Sequence, residues 1–423
     1  MHGYRHASLV ERSERMLFTK KRNEVRVVTY KLASFFAGVG GIDVGFESGG
    51  DFEVTYANEF DKKAQTTYAT NFGEGVLERG DIRQIDPNYG QFAEASVDVL
   101  SAGYPCQPFS IAGYRKGLAD PRGDLFFEAL RMIKAKQPQV VFLENVKNLV
   151  THDHGNSFKV MREFLVHTGY FIKWRVLNAT EYGNIRQNRE RIYVVGFKDY
   201  AAYQAFEFPK ALPLTNRLDE VIDFDTQMPD KYYYTPACSF YTELRQAITS
   251  CDTVYQWRRT YVRENKSGVS PTLTASMGTG GHNVPLILTH DNQIRKLTPR
   301  ECFNLQGYPA TYELPETMAD SSLYKQAGNS VVVPVIARLA HQIEEALPFA
   351  KTNTDLPQVD NKVALVRVDM MGRLAGASEV VDYYDDVDAL QAHLPSDLPL
   401  ITDDEFYQLV AKGKSTSFYM IVG

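Results

Sequence analysis

Four residues carry side chains able to do covalent chemistry on a polar ring. Cys106 stands in GYPCQPFS, Glu144 near the end of VVFLENV, and Arg189 and Arg191 on alternate positions of QNRERIYVVG. A thiol is a strong nucleophile once ionised, a carboxyl group can donate or accept a proton, and a guanidinium can neutralise charge that builds on a ring. Pro105 and Pro108 flank the cysteine and argue for a fixed loop rather than a helix or a central strand. Arginines two apart on a strand point to the same face. Each residue also has a plainer reading: a buried structural cysteine, a helix-capping acid, and surface arginines paired with Glu190 or a neighbour.

A second group suits a ligand rather than a reaction. FFAGVGGIDVGFE follows the first apolar run, and Gly38, Gly40 and Gly41 let the backbone turn tightly and approach a bound molecule. The spacing is not GxGxxG, because Asp43 takes the place of the last glycine. That disfavours a nicotinamide cofactor but keeps a nucleoside-bearing one. Glu59 closes the next strand, 21 residues past Gly38, where a carboxylate can accept bonds from ribose hydroxyls. The plainer alternative is a tight strand-to-helix turn with a solvated glutamate.

These residues need a scaffold that brings strand ends together. VVTYKLASFF, FEVTYANE, SVDVLSAGY, VVFLENV, YFIKWRVLNA and RIYVVGFK read as strands, several of them nearly continuous apolar runs as buried parallel strands require. FDKKAQTTYATNF and DLFFEALRMIKAKQ read as helices, the second with a stripe of Leu125, Phe126, Ala129, Leu130 and Ile133. The alternation predicts an α/β fold, a doubly wound, mostly parallel sheet over residues 30–198. Ligand crevices of such sheets lie at the carboxyl ends of the strands, where Cys106, Glu144 and the glycine loop fall. Residues 199–290, rich in Tyr, Pro, Thr and Asn, predict a smaller β-rich or irregular domain. Residues 291–350 return to helical spacing in LTPRECFNL and VIARLAHQIEEAL. Residues 1–29 form an N-terminal extension, within which Met16 offers an alternative start, and 351–423 an acidic C-terminal module with apolar runs VALVRV and FYMIV.

Composition bounds the rest. The 423 residues are 44% hydrophobic and 23% charged, which excludes disordered and fibrous classes. No apolar run is long enough for a membrane span, and the charged N-terminus holds no signal-peptide region. Four cysteines without a CxxC indicate neither a disulfide framework nor a zinc ribbon, so no metal is expected and the chain reads as cytoplasmic. The net charge of −6 argues against a nucleic-acid partner until its distribution is read. Residues 351–423 hold 12 acids against 6 bases, leaving 40 of each in the body. A neutral body can still bind nucleic acid through a clustered basic face.

Taken in order, FAGVGG, YANEFD, GDI, GYPCQPFS, ENV, QNRER, LTPRECFNLQGYP and QAGNSVVVPV resemble the motifs of the bacterial DNA (cytosine-5)-methyltransferases, over about residues 30–347. The resemblance implies a Rossmann-like, S-adenosylmethionine-dependent methyltransferase fold, with residues 199–290 as target-recognition domain. It implies Phe36, Gly38, Gly40, Gly41, Glu59, Phe60, Asp81, Ile82 and Pro105 as cofactor contacts, completed by Asn329, Ser330 and Val331 after the chain folds back. It further implies that Cys106 attacks C6 of a flipped-out cytosine, that a protonated Glu144 donates to N3, and that Arg191 reaches O2 while Arg189 fixes the phosphate or the loop. Methyl transfer to C5 then leaves S-adenosylhomocysteine.

Double-stranded DNA is the implied partner. The loop from Gln107 to Asp124 resembles the family's mobile loop, with Gln107, Ser110, Arg115, Lys116 and Arg122 as candidate DNA contacts. YQWRRTYVREN is the densest basic and aromatic cluster. Arg258, Arg259 and Arg263 are read as phosphate and scaffold residues more than as sequence readers, and Thr272 and Thr274 as backbone contacts. Target specificity is placed in about residues 215–254. The chain is expected to act as a monomer, within a restriction–modification system with a cognate endonuclease or as an orphan methylase. A tRNA methyltransferase is a weaker alternative, because ACSFY around Cys238 matches that branch's CFT-type element poorly. A non-catalytic DNA-binding regulator is a second, against which the intact set of Cys106, Glu144 and Arg191 speaks.

Overall fold

The computed structural model describes residues 29–105, 125–279 and 283–348, together with the backbone of three strands beyond residue 362. Seven strands form the central sheet: β1 Tyr30–Phe35, β2 Phe52–Glu59, β3 Leu77–Arg79, β4 Val99–Ala102, β5 Val140–Val146, β6 Phe171–Asn178 and β7 Glu190–Phe197. Their order is β3-β2-β1-β4-β5-β7-β6. Pairing is parallel from β3 through β5, and β7 runs antiparallel to both β5 and β6. The chain passes from β1 outward to β2 and later returns to the other side of β1 with β4. The crevice at this reversal, beyond the carboxyl ends of β1 and β4, is where doubly wound sheets hold ligands.

The apolar runs explain the layering. Six of the seven residues of β5 are buried, since helices cover both faces of the sheet. Helix Leu125–Lys136 buries Phe126, Ala129, Leu130, Met132 and Ile133, while Leu125 is only half-buried. Asp61 caps helix Lys62–Phe72, accepting from the amides of Lys63 and Ala64. Helix Val333–Ala346, near the far end of the described body, packs on helix Gly41–Gly49. A Cβ at Gly49 would stand 2.1 Å from the Ala337 carbonyl oxygen, so only glycine allows this approach. Ile336 and Leu339 are fully buried there, each worth roughly 1.5–3 kcal/mol of apolar burial.

A second sheet, antiparallel, has the order β11-β10-β8-β9, from β8 Val254–Trp257, β9 Val262–Asn265, β10 Leu286–Leu288 and β11 Ile294–Lys296. Tyr255, Trp257, Leu286, Leu288 and Ile294 form its core with Leu244 and Ile248. Trp257 stacks on Phe240 at 4.7 Å between ring centroids, so it is scaffold. This unit extends past residue 290, because β11 completes the sheet. At its other boundary Ala202, Tyr203, Phe206 and Phe208 belong to the core of the large sheet. Arg295 and Glu301 form a buried ion pair at 2.6 Å beside the capping box of Thr298 and Glu301, which fixes LTPRECFNL in place.

Beyond the body, β12 Val363–Asp369, β13 Ala377–Tyr384 and β14 Ser417–Val422 pair antiparallel in the order β13-β12-β14. Among the described residues no helix is long and apolar enough to cross a membrane, and no group of three His, Cys, Asp or Glu could hold a metal ion.

Candidate active site

A cavity of about 760 Å³ opens at the carboxyl ends of β1, β2, β4 and β5. Of the residues read from the sequence as cofactor contacts, Phe36, Gly38, Gly41, Glu59, Phe60, Asp81, Ile82, Pro105, Asn329, Ser330 and Val331 line it. Gly40 does not. It caps helix Gly41–Gly49 at φ 77°, and a Cβ there would meet the Phe72 ring at 2.3 Å, so its need for glycine comes from turn and packing.

Glu59 organises the loop. The amides of Gly38 and Asp61 donate to its two carboxylate oxygens, at 2.7 Å and 2.6 Å. Burial pushes this carboxyl up, against the pull of those same amides. Asn58 beside it donates to the carbonyls of Glu78 and Gly80, which sets the turn carrying Asp81 and Ile82. Asp81 is engaged by the Arg83 guanidinium, which holds its carboxyl below the usual range. Phe60 is 70% exposed at the rim, an apolar ring largely open to solvent. From the far end of the body, Lys325 reaches Asp61 at 2.7 Å, and Gln326 donates to the Lys63 carbonyl and accepts from the Thr67 hydroxyl. These bonds hold helix Asp320–Asn329 beside helix Lys62–Phe72 and bring Asn329, Ser330 and Val331 to the cavity.

The acid and the arginines meet at the same cavity. Arg191 Nε lies 3.2 Å from Glu144 Oε1, both side chains largely buried. Burial pushes the Glu144 carboxyl up, opposed by the Arg191 and Arg189 charges. Arg189 is read from the sequence as fixing the phosphate or the loop, and its side-chain hydrogen-bond partners among the described residues are backbone carbonyls. It is buried, and its guanidinium donates to the carbonyls of Leu273 at 2.7 Å, Gly328 at 3.1 Å and Ser330. Burial pushes it down to about 9, the Arg191 charge adding to the effect. It thus joins the segment after Ser270 to the Gly328–Ser330 turn, and no phosphate contact is open to the groups so engaged.

Cys106, Gln107, Ser110, Arg115, Lys116 and Arg122 lie outside the described residues. The chain enters that segment from Tyr104 and Pro105, and here sequence reasoning missed a residue. Asn145 Nδ2 donates to the Tyr104 carbonyl at 2.9 Å, tying the turn before Cys106 to the strand that carries Glu144. The signal was present in the ENV motif, one position past the acid. Arg83 and Lys325 at the cavity were likewise missed, and nothing in their local sequence marks them.

Of the remaining candidates, Arg258, Arg263, Thr272 and Thr274 line a second, polar cleft of about 700 Å³. The Thr272 hydroxyl donates to the Asn188 carbonyl at 2.5 Å, and Thr274 shares a hydrogen bond with Ser276 at 2.8 Å. Arg259 sits exposed in the β8–β9 turn at φ 68°.

The class this fold defines is the Rossmann-like, doubly wound α/β class. Solved structures of DNMT2 from Spodoptera frugiperda (a mutant) and S. pombe match with TM-scores of 0.58, at 19% and 18% identity, over 74% and 75% of this chain and 99% of each of theirs. Within that class, residues 30–345 match the family model of the C-5 cytosine-specific DNA methylases, and the chain belongs to this family. Type II methyltransferase M.Bsp6I of Bacillus sp. (strain RFL6) is 57% identical over 319 residues, 75% of this chain and 99% of that one. Type II methyltransferase M.HhaI of Haemophilus parahaemolyticus is 38% identical over 333 residues, 75% of this chain and 95% of that one.

Proposed function

We propose that the chain methylates C5 of a flipped-out cytosine in a specific DNA sequence through a covalent Cys106–C6 adduct. The observation that carries the reading is the Glu144–Arg191 pair, placed at the cavity beside the turn that leads into Cys106. Cytosine C5 is a poor nucleophile. Attack of the Cys106 thiolate on C6 moves the C5=C6 electrons toward N3 and makes C5 enamine-like, and a proton from Glu144 to N3 neutralises the charge that develops. A free cysteine has a pKa of about 8.5, so the thiol needs activation by its surroundings. Burial favours the neutral acid on Glu144, the form that donates. Arg191 orients that carboxyl and reaches the O2 edge. Once C5 carries the methyl group, loss of the C5 proton, return of the N3 proton to Glu144 and expulsion of the Cys106 thiolate restore the ring. Arg189 is a positioning residue for the Gly328–Ser330 turn.

The residues around the larger cavity fit S-adenosylmethionine. Phe60 offers an exposed apolar ring for the adenine, and Glu59 keeps lone pairs on both oxygens for the ribose hydroxyls. Phe36, Asp81, Ile82, Asn329, Ser330 and Val331 complete the set. When bound, S-adenosylmethionine supplies the methyl group.

The base cannot be reached inside the duplex and is flipped out, at a cost of roughly a few kcal/mol that contacts to the opened DNA offset. Residues 209–296 form the target-recognition unit, and residues 30–208 with 297–348 the catalytic body. The type II names of the relatives support a place in a restriction–modification system beside an endonuclease of the same specificity. The methyltransferase acts there as a monomer in the cytoplasm. The test is bisulfite sequencing of a bacterial host that lacks cytosine methylation and expresses the chain. Protected cytosines in one short recurring motif are the expected result. Uniform conversion, with soluble protein that binds S-adenosylmethionine, overturns the reading.

A further inference from the structure

The second cleft shares the Asn188–Arg189 segment with the first cavity, and one of its walls is a face of the β8–β9 hairpin. Gln256 and Arg263 are directly paired across the hairpin, so their side chains share that face. The other face carries Tyr255 and Trp257 into the apolar core. Gln256 is only 8% exposed, and its Oε1 has no hydrogen-bond partner among the described residues. A buried acceptor left without a partner costs free energy in a native fold unless water or a ligand satisfies it. Arg263 is exposed and forms no ion pair among the described residues. Gln256 and Arg263 thus bring to the cleft a shielded acceptor without a partner among the described residues and an exposed fork of donors.

A phosphate satisfies only half of this arrangement. It offers acceptors to Arg263 and nothing to the Gln256 oxygen. A base edge satisfies both. In the major groove a G·C pair presents two acceptors, guanine N7 and O6, followed by one donor, the cytosine N4 amine. An A·T pair places its amine between two acceptors, where it would face the guanidinium donors. We propose that Gln256 and Arg263 together read one G·C base pair of the target sequence, Arg263 donating to guanine O6 and N7 and Gln256 Oε1 accepting from cytosine N4. The assignment rests on the DNA-methylating function proposed above and moves part of the specificity out of residues 215–254 into the hairpin that follows.

The experiment uses the purified full-length chain, its Arg263→Ala variant and its Gln256→Leu variant on a duplex library randomised around a fixed cytosine, with methylation scored by bisulfite sequencing. Discrimination by the two variants is expected to relax at one and the same G·C position, by about tenfold or more, with the rest of the motif unchanged. Arg263 is exposed, so its variant keeps the test decisive if Gln256→Leu folds poorly. A uniform fall in methylation with an unaltered motif overturns the proposal and makes Arg263 a phosphate contact. Relaxation at two different positions overturns the shared reading. Failure of the unsubstituted chain to methylate any library member instead removes the function on which the proposal stands.

Discussion

Arg191 Nε and Glu144 Oε1 are brought within 3.2 Å by strand register, Glu144 standing opposite Tyr193 and Val146 opposite Arg191 in the antiparallel β5–β7 pair. Glu144, Tyr193 and Arg191 consequently share one face of the sheet, at the end where the cavity opens. A slip of one residue would send Arg191 to the opposite face and leave a buried carboxyl without its guanidinium. The reversal of strand direction at β7 in an otherwise parallel array thus has a chemical consequence.

Glu144→Gln removes the proposed proton donor and keeps the shape. The methylation rate constant is expected to fall by about 10²–10⁴-fold with DNA affinity largely retained, read by single-turnover kinetics and gel shift. Burial holds the Glu144 proton to higher pH than an ordinary glutamate, so the unsubstituted enzyme should lose activity as pH rises through that raised pKa. The glutamine variant, with nothing to titrate there, should lack this alkaline limb.

Cys106→Ser should still bind DNA and S-adenosylmethionine but lose turnover by roughly three orders of magnitude or more, since a serine hydroxyl is far less ionised than a thiol. Methylation at near the original rate would remove Cys106 as the nucleophile.

Asp43 takes a last-glycine place in the sequence and is wholly buried beneath the loop, where Tyr68 donates to it at 2.8 Å and burial pushes its carboxyl up to about 7. With its pKa raised on folding, its contribution to stability is complete below the unfolded value near 4 and is lost as pH climbs through about 7. Urea unfolding at pH 5 and pH 8 should therefore show the native chain losing on the order of a few kcal/mol that Asp43→Asn does not lose.

Glu301→Ala leaves the Arg295 guanidinium buried without its partner at the joint between the second sheet and the returning segment. A loss of about 3–5 kcal/mol is expected in denaturant unfolding, far above that for a surface pair such as Lys31 with Glu53.

Removal of residues 351–423 should leave DNA methylation intact, because the family match ends at residue 345 and the described residues that line the cavity all lie before that point. Loss of activity from a folded truncated chain would give the acidic segment a part in catalysis or DNA binding.

The local part of this architecture was legible in the chain. VVFLENV and FEVTYANE are strands over the same residues, the first a nearly continuous apolar run and the second β-branched, aromatic and apolar residues interspersed with polar ones. The strand-end glutamates and the glycine loop could be placed at the crevice because they stand at strand ends. Leu77–Arg79 went unread, since three residues with one buried side chain carry no period. Partners across long separations were also silent. The Arg189 side chain looks like a catalytic arginine in QNRER, and only the packing of Leu273, Gly328 and Ser330 around it turns it into a clamp on backbone carbonyls. Gln256 likewise is an ordinary strand residue until burial leaves its oxygen without a partner. Sequence determined which segments are strands and which residue types stand at their ends, because both follow from local side-chain pattern. Tertiary structure decided which of those ends face one cavity, because register and burial are set by contacts between residues far apart in the chain.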